Sequence, residues 1–314
     1  MHPAFSVIFF TTASGAGYGL LALMGVLAPA GILPAERWFG VAGLFLALGL
    51  ISAGLMSSTF HLGHPERAWR AVTQWRSSWL AREGVMAILT YGPALLFGLG
   101  YVYFEKTTGW WGIWGVFTAL LAVITVACTS MIYRSLKTIH QWYNSFTIPA
   151  YLALGLMTGS IFLAAIAALF GVESRIVMGL PIVTILAGWA IKAAYWKFIA
   201  NTQSLSTPQT ATGLRGGPVK VVEWPHTEAN YLNKEMGYTV ARKHACKLKA
   251  ISHLTAFALP LVLSVVSYHM PGIVGAAAAV LAAASVSVGV LVERWLFFAE
   301  AKHTVMLYYG AESA

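Results

Sequence analysis

Eight apolar stretches constrain this chain more than any other feature of its sequence. They cover residues 5–30, 38–60, 79–103, 111–133, 146–171, 176–199, 249–269 and 272–299. A helix needs about 20 consecutive apolar residues to cross the hydrocarbon core of a bilayer. Only 10% of the 314 residues are charged, whereas a soluble domain carries about a quarter. The sequence therefore predicts an all-α integral membrane protein, an antiparallel bundle of eight transmembrane helices.

Lysine and arginine collect at one end of this predicted bundle. We call the end that holds the N-terminus side A, and its basic residues include Arg67, Arg70, Arg76, Arg82, Arg134, Lys137, Lys197, Lys302 and most of those in 200–248. The opposite end, side B, has little more than Arg37, Lys106 and Arg175. Cytoplasmic loops carry the positive excess in membrane proteins. We therefore expect side A and both termini to be cytoplasmic, and the net charge of +9 does not indicate nucleic-acid binding.

One stretch of the chain, residues 200–248, is too polar to span a membrane and too long for a simple turn. Loops of this length inside a compact domain usually serve a function. We expect a long cytoplasmic loop within a single membrane domain of residues 1–314, and it should contact a partner or cover one face of the bundle.

The first apolar stretch is unusually rich in small residues between Thr11 and Gly19. Small residues allow the backbone of another helix, or a flat ligand, to approach closely. Tight packing of helices is the simpler interpretation of this pattern.

The second apolar stretch ends at His61-Leu62-Gly63-His64-Pro65, and an arginine-rich loop connects it to the third. Glu83 then follows about one turn inside the third stretch. Ionisable groups at the ends of membrane helices are costly and need a functional or structural explanation. Because His61 ends one helix and Glu83 begins the next, both should lie at side A and close together.

The loop itself has local signals for helix formation. Pro65 is suited to the first turn of a short interfacial helix over 66–75, in which Trp69, Val72 and Gln74–Trp75 would face inward. Ser77 or Ser78 is suited to cap the third membrane helix.

Histidine and a buried carboxyl together have the chemistry that a quinone needs. Each quinone carbonyl must receive a proton when two electrons arrive, and histidine titrates near neutral pH. A desolvated Glu83 can exchange protons with the aqueous side, while arginine and tryptophan can position the head group. The structural alternative is that His61 only caps its helix and Glu83 only pairs with Arg82 or another arginine.

Further candidate residues occur near side A. Tyr133-Arg134 and Trp142-Tyr143 flank the connection between the fourth and fifth stretches, where they suit interface anchors or the wall of a site. Glu293-Arg294 lies late in the eighth stretch and should form a buried or interfacial ion pair.

Metal ligation receives little support from the sequence. Cys128 and Cys246 belong to no CxxC pair, so we expect no iron–sulfur cluster and no zinc in this chain. His61, His253 and His303 are all expected near side A, which keeps a haem b between two histidines open as an alternative.

Two strings of residues resemble a known family. They are Phe60-His61-Leu62-Gly63-His64-Pro65-Glu66-Arg67-Ala68, and Ser78-Trp79-Leu80-Ala81-Arg82-Glu83 at the start of the third stretch. Together with Trp142-Tyr143 and the segment from Glu293 to His303, they resemble the membrane anchor subunits of dimethyl-sulfoxide-reductase-type molybdoenzymes. The resemblance covers essentially the whole chain. His64, the long 200–248 segment and the His-Pro-Ala-Phe-Ser start make it most similar to the anchors of cytoplasmic sulfite dehydrogenases.

This resemblance implies a location, partners and roles for single residues. It implies a multi-pass subunit of the bacterial cytoplasmic membrane that holds a four-cluster iron–sulfur subunit and a molybdopterin catalytic subunit. It implies no covalent cofactor and no metal in this chain, and usually no haem. Electrons would pass to ubiquinone or menaquinone, with His61 and Glu83 as the catalytic pair. The quinone site would comprise His61, Gly63, His64, Arg67, Arg70, Trp79 and Glu83, and the docking surface or site wall Arg76, Arg82, Tyr133, Arg134, Trp142 and Tyr143.

The predicted function is therefore sulfite oxidation coupled to quinone reduction, with this chain as the quinone-reactive anchor. Within the same class, the alternatives are the anchor of a sulfoxide- or polysulfide-type reductase that oxidises quinol, and a haem b-containing quinone subunit. A purely structural anchor and a transporter are the alternatives from other classes. Transporters place polar groups near the bilayer centre, and the apolar stretches here contain few of them.

Overall fold

The computed structural model describes residues 2–59, 62–204, 206–214, 217–223, 225, 228, 230–238 and 240–314. Within these ranges eight helices are long and apolar enough to cross a membrane. They are α1 (Phe5–Leu27), α2 (Arg37–Thr59), α3 (Trp79–Tyr103), α4 (Gly109–Arg134), α5 (Thr147–Leu169), α6 (Arg175–Asn201), α7 (His244–His269) and α8 (Ile273–Ala299). The predicted all-α fold with eight membrane helices is confirmed.

Helix α1 occupies the centre of the bundle. It packs against α2, α4, α5 and α8, and 72% of its apolar window is buried. The corresponding fraction for α6 is 28%, because α6 turns most of its surface toward the lipid. The chain therefore builds its remaining helices around the first one.

Glycines make the contact between α1 and α5 very close. A methyl group added at Gly19 would overlap the carbonyl group of Gly155, and one added at Gly159 would overlap the backbone of Gly19. Gly25 is equally close to the carbonyl of Gly115 on α4. The small residues of the first stretch thus serve close helix packing, as small residues commonly do in membranes.

Two membrane helices contain a π-helical turn. It covers Leu99–Tyr103 at the end of α3 and His253–Ala258 inside α7. Helix α7 is the apolar part of a longer helix that begins at Val240. The sequence predicts a start at residue 249. The helix begins earlier because its first turns, which are basic and amphipathic, extend it beyond the apolar part. Two further short helices, Pro208–Thr212 and Tyr231–Glu235, lie in the polar stretch.

The loop between α2 and α3 differs from the sequence prediction. Instead of one helix over 66–75 it contains a 3-10 turn, Pro65–Arg67, and one helical turn, Trp69–Val72. Trp69 and Trp75 are 65% and 52% exposed, so the prediction that they face inward is wrong. Tryptophan rings favour the water–lipid interface, and each ring lies beside the guanidinium of the following arginine.

Candidate functional site

The carboxyl group of Glu83 is buried in the bundle near side A. Its residue is 4% exposed, and its Oε1 accepts a hydrogen bond from the hydroxyl of Thr129 on α4. Ser78 caps α3 by accepting a hydrogen bond from the backbone nitrogen of Ala81, at 3.4 Å. This cap starts the helix about one turn before Glu83. The expected position of Glu83 is therefore observed.

Arg82 does not neutralise this carboxyl. Its Nε and Nη2 donate to the carbonyl oxygens of Trp75 and Arg76, at 3.0 and 2.7 Å, and its Cζ lies 4.2 Å from the centre of the Trp79 ring. Arg82 thus fastens the end of the loop to the start of α3. The pairing of Glu83 with Arg82, the structural alternative considered above, is not formed.

Three buried tyrosines lie within electrostatic range of the carboxyl. Tyr18, Tyr133 and Tyr151 lie near enough to feel the charge of Glu83, and all three are at most 8% exposed. The hydroxyls of Tyr18 and Tyr151 have no hydrogen-bond partner within the described part of the chain. Buried hydroxyls normally find partners, so these two hydroxyls remain available as donors.

Thr129 supplies a hydrogen bond that the buried carboxyl cannot replace with water. We expect Thr129→Val to lower the free energy of unfolding by about 1–3 kcal/mol, because a stranded buried acceptor costs that much. Thr129→Ser should restore most of it. Thermal unfolding of the detergent-purified protein measures the difference as a shift in Tm.

Thr118→Val is a matched control for this change. Thr118 is wholly buried on the same helix, and its hydroxyl donates to the carbonyl of Trp114 in its own helix, at 2.7 Å. A loss as large for Thr118→Val as for Thr129→Val would contradict a special role for the bond to Glu83.

A second buried charged cluster lies between α6 and α8. Lys192 of α6 and Glu293 of α8 form an ion pair, and the Nε of Arg294 lies 3.6 Å from Oε2 of Glu293. The three residues are 1%, 0% and 2% exposed. The predicted buried ion pair of Glu293 and Arg294 is thus observed, with a lysine that was not predicted.

Aromatic rings enclose this cluster. The Nζ of Lys192 lies 3.9 Å from the centre of the Tyr195 ring, and the Cζ of Arg294 lies 3.8 Å from that of Tyr151. Cations above aromatic faces gain up to about 2 kcal/mol when they are desolvated. The rings therefore offset part of the cost of burying two cations beside one anion.

A small cavity, which we call the Thr12 cavity, is lined by residues of α1, α4, α5 and α8. Its volume is about 10 Å³, close to the space that one water needs. Its polar lining consists of Thr11, Thr12, Ser14, Thr129, Thr158 and Arg294, with the ring of Tyr151 beside them. The lining thus includes the partner of Glu83, Thr129, and the neighbour of Glu293, Arg294, but neither of the two glutamates.

Four of the other predicted quinone-site residues lie in the exposed loop, and His61 lies outside the described residues. His64 and Arg67 both contact Glu66, at 3.1 and 3.6 Å, and Gly63 and Arg70 are exposed. Trp79 is half-buried at the start of α3. In the described part of the chain no hydrogen bond or ion pair joins any of them to Glu83.

The residues predicted for docking or for the site wall divide into two groups. Tyr133 and Trp142 are buried in an aromatic cluster with Phe297, whose carbonyl accepts from the Trp142 indole at 2.9 Å. Arg134 and Tyr143 stay at the surface of side A, with the Arg134 Cζ 5.7 Å from the centre of the Tyr143 ring. Arg76 is exposed beside Trp75.

Two of the three histidines considered for haem have other partners, and the third, His61, lies outside the described residues. The Nδ1 of His253 accepts from the Trp189 indole at 2.8 Å, and the Nδ1 of His303 accepts from the backbone nitrogen of Val305 at 3.0 Å. Partial burial also lowers the pKa of the His303 imidazole. Among the described residues no group of three His, Cys, Asp or Glu side chains is placed to hold a metal.

Sequence reasoning missed four members of the site. Lys192 carried a usable signal, because a lysine in the interior of the sixth apolar stretch needs a partner. Thr129, Tyr18 and Tyr151 carried none, since hydroxyl residues are common in membrane helices and only the packing of α1, α4 and α5 brings them to Glu83.

This chain is similar to one family of anchor subunits and to single subunits of a sulfite dehydrogenase and of a dimethyl sulfoxide reductase. A family model described as DMSO reductase anchor subunit (DmsC) matches residues 1–310. The C subunit of the sulfite dehydrogenase of Allochromatium vinosum is 36% identical over 98% of this chain and 99% of that protein. The anaerobic dimethyl sulfoxide reductase chain YnfH of Escherichia coli is 28% identical over 51% of this chain and 56% of its own length.

Proposed function

Because this chain belongs to the family of DMSO reductase anchor subunits, we propose that it passes electrons from a partner iron–sulfur subunit to membrane quinone. The chain is the membrane anchor subunit of a DMSO reductase-family molybdoenzyme, and partner subunits of this family carry molybdopterin and iron–sulfur clusters. A catalytic subunit and a four-cluster iron–sulfur subunit dock on side A. The complex lies in the bacterial cytoplasmic membrane, with both termini in the cytoplasm.

The buried carboxyl of Glu83 is the observation that carries this proposal. A carboxyl at 4% exposure with a neutral hydroxyl as its partner is expensive unless it is used. The helix that bears it also faces the lipid, since Leu80 and Ile88 are 54% and 64% exposed. A lipid-soluble quinone can therefore reach α3 from the bilayer, and Glu83 can exchange protons with it.

Each residue at side A has a part in this scheme. His61 donates a hydrogen bond to one quinone carbonyl, and Glu83 exchanges protons with the reduced head group. Arg67 or Arg70 orients the head group or the partner subunit. Gly63, His64 and Trp79 complete the quinone site, while Arg76, Arg82, Arg134 and Tyr143 serve the docking surface.

Sulfite is the substrate that we propose for the catalytic partner. The relative that is aligned over nearly its whole length belongs to a sulfite dehydrogenase, whereas the sulfoxide reductase chains align over about half of theirs. Two electrons from sulfite then reduce one quinone, and two protons enter the quinol.

Purification of the chain with its partners from native membranes tests this function. We expect molybdenum and iron to copurify with it, and sulfite to reduce a short-chain ubiquinone or menaquinone analogue. Addition of dimethyl sulfoxide and a reduced quinol to the same preparation measures the reverse, reductase alternative. An intact preparation without molybdenum and iron, or one in which sulfite leaves the quinone oxidised, would contradict the proposal.

A further inference from the structure

A pocket of about 360 Å³ lies at side B, the end of the bundle opposite the arginine-rich loop. Its lining comes from the ends of α5 and α7, the starts of α6 and α8, and the short connections 170–174 and 270–272. We call it the side-B pocket. Binding sites for small molecules usually measure about 300–1,000 Å³. Because the pocket lies where the helices end, a ligand there would be at the level of the lipid head groups.

Two opposite charges belong to the lining of the side-B pocket. Glu173 and Arg175 are both exposed, and neither forms an ion pair with any described residue. The guanidinium group of arginine matches the geometry of phosphate, and the carboxylate of Glu173 suits an ammonium group. The two charges therefore match a ligand that carries both signs.

The start of α8 adds hydrogen-bond donors to the same pocket. Gly272 precedes the helix and has no side chain that could cap it. The backbone nitrogens of Ile273, Val274 and Gly275 have no acceptor in the described part of the chain. Gly272 and Gly275 both line the pocket. The free amide groups at the start of a long helix attract a phosphate group, so α8 favours the same anion as Arg175.

Ser267 of α7 lies in the wall of the pocket with an unsatisfied hydroxyl. The residue is 6% exposed, and its Oγ has no hydrogen-bond partner within the described ranges. Serine inside a helix can donate to the carbonyl four residues earlier, and buried hydroxyls normally find a partner. A ligand with acceptor oxygens in the side-B pocket would supply the missing one.

Apolar side chains flank the pocket. Ile176, next to Arg175, is 57% exposed, Ile273, next to Gly272, is 86% exposed, and Met270 in the lining is 53% exposed. Exposed apolar side chains at the end of a membrane helix contact acyl chains. A free phosphate ion would gain nothing from them, whereas a phospholipid offers a charged head group together with acyl chains.

We propose that the side-B pocket binds a zwitterionic phospholipid with a phosphoethanolamine head group. Arg175 and the first amide groups of α8 bind the phosphate, and Ser267 donates to one of its oxygens. Glu173 accepts a hydrogen bond from the ammonium group, which a quaternary ammonium could not donate. The acyl chains lie along Ile176 and Ile273. The bound lipid thus joins α6 to α8 at side B, and this role does not depend on quinone chemistry.

Lipid binding to the full chain in detergent tests the proposal. The delipidated subunit is titrated with phosphatidylethanolamine, with phosphatidylglycerol, and with phosphatidylethanolamine in the presence of an equal concentration of inorganic phosphate. Native mass spectrometry counts the bound lipids. We expect one phosphatidylethanolamine to bind about 10-fold more tightly than phosphatidylglycerol, because only its ammonium group makes a charge-assisted hydrogen bond.

Three outcomes of this titration would overturn the proposal. Phosphatidylglycerol that binds as tightly as phosphatidylethanolamine would show that the ammonium group is not recognised. Displacement of the lipid by inorganic phosphate would show a site for a free anion. The absence of saturable lipid binding would show that the pocket holds no lipid.

Two charge variants assign the parts of the head group. Arg175→Gln should weaken binding of both lipids about 10-fold, since both contain the phosphate. Glu173→Gln should abolish the preference for phosphatidylethanolamine and leave phosphatidylglycerol binding as tight or tighter. Both side chains are exposed, so the variants should fold.

Arg37→Gln is the matched control for the arginine. Arg37 is another arginine at side B, half-exposed in an ion pair with Glu105, and it does not line the pocket. It should change lipid affinity by no more than about 2-fold, as exposed ion pairs contribute little. An equal loss for Arg37→Gln and Arg175→Gln would mean general charge attraction, and the proposal would be wrong.

Ser267→Ala tests the buried donor without changing any charge. The variant loses a hydroxyl that has no partner among the described residues, so the lipid-free subunit should keep its Tm. Affinity for phosphatidylethanolamine should fall about 3- to 10-fold, the worth of one hydrogen bond. Ser264→Ala is the control, because Ser264 is buried one turn earlier and does not line the pocket. Unchanged affinity in both Ser267→Ala and Arg175→Gln would place the lipid elsewhere and refute the site.

Discussion

Replacing Glu83 with glutamine is expected to lower quinone reduction by the complex about 10²- to 10⁴-fold, the usual contribution of a positioned acid or base. Glutamine keeps the size of the side chain and still accepts the hydrogen bond from Thr129, so the subunit should enter the membrane and bind its partners. Steady-state assays with sulfite and a quinone analogue measure the loss. Sulfite oxidation with an artificial electron acceptor should continue, because that reaction bypasses the membrane subunit.

His61→Gln should give the same result by a different step, the loss of the donor to a quinone carbonyl. Glu66→Gln is the control within the adjoining loop, where Glu66 contacts His64 and Arg67 at the surface. Activity with the artificial acceptor that falls in parallel with quinone reduction would indicate failed assembly. Quinone reduction that survives both Glu83→Gln and His61→Gln would exclude the proposed site.

Gly19→Ala is expected to have the largest effect on stability. The added methyl group would overlap the carbonyl of Gly155, and both partners are helix backbone in the centre of the bundle, so neither can rotate away. We expect a loss of about 3 kcal/mol or more, at the upper end of the cost of overpacking. The measurement is the amount of folded subunit in membranes, followed by thermal unfolding in detergent.

Gly49→Ala is the control for this prediction. Gly49 lies in α2 with nothing within 4 Å of the added methyl group, and alanine is the better helix former. This variant should accumulate normally. Equal loss for Gly19→Ala and Gly49→Ala would show that the effect comes from glycine itself and not from the contact of α1 with α5.

The fold could be predicted from the sequence because a bilayer allows few backbone structures. Backbone groups in hydrocarbon must be satisfied within each segment, so long apolar stretches become helices. The structure of the loop between α2 and α3 could not be predicted in the same way, because the loop lies outside the hydrocarbon and its backbone groups can bond to water. Trp69 and Trp75 were expected to face inward, but interfacial tryptophan is stable at the surface beside arginine.

Within the candidate site, the sequence identified only residues whose burial in a membrane helix costs free energy whatever their neighbours are. Glu83 is such a residue, and its depth followed from the serine cap at Ser78. The identity of its partner depends on packing: Thr129 is 46 positions away in the sequence, and no local pattern distinguishes it from Thr125 or Thr118. Lys192 was equally costly, but its significance depends on Glu293, which lies on another helix.

The position of Lys192 and Glu293 in the chain has a consequence for biosynthesis. Lys192 lies in α6, and its partner in α8 is made about a hundred residues later. At about 5–20 residues per second, ribosomes need roughly 5–20 seconds for that length. During this interval the nascent chain holds an uncompensated lysine at membrane depth. The ion pair can form only once α8 has been made, so the last membrane helix completes the surroundings of an earlier one.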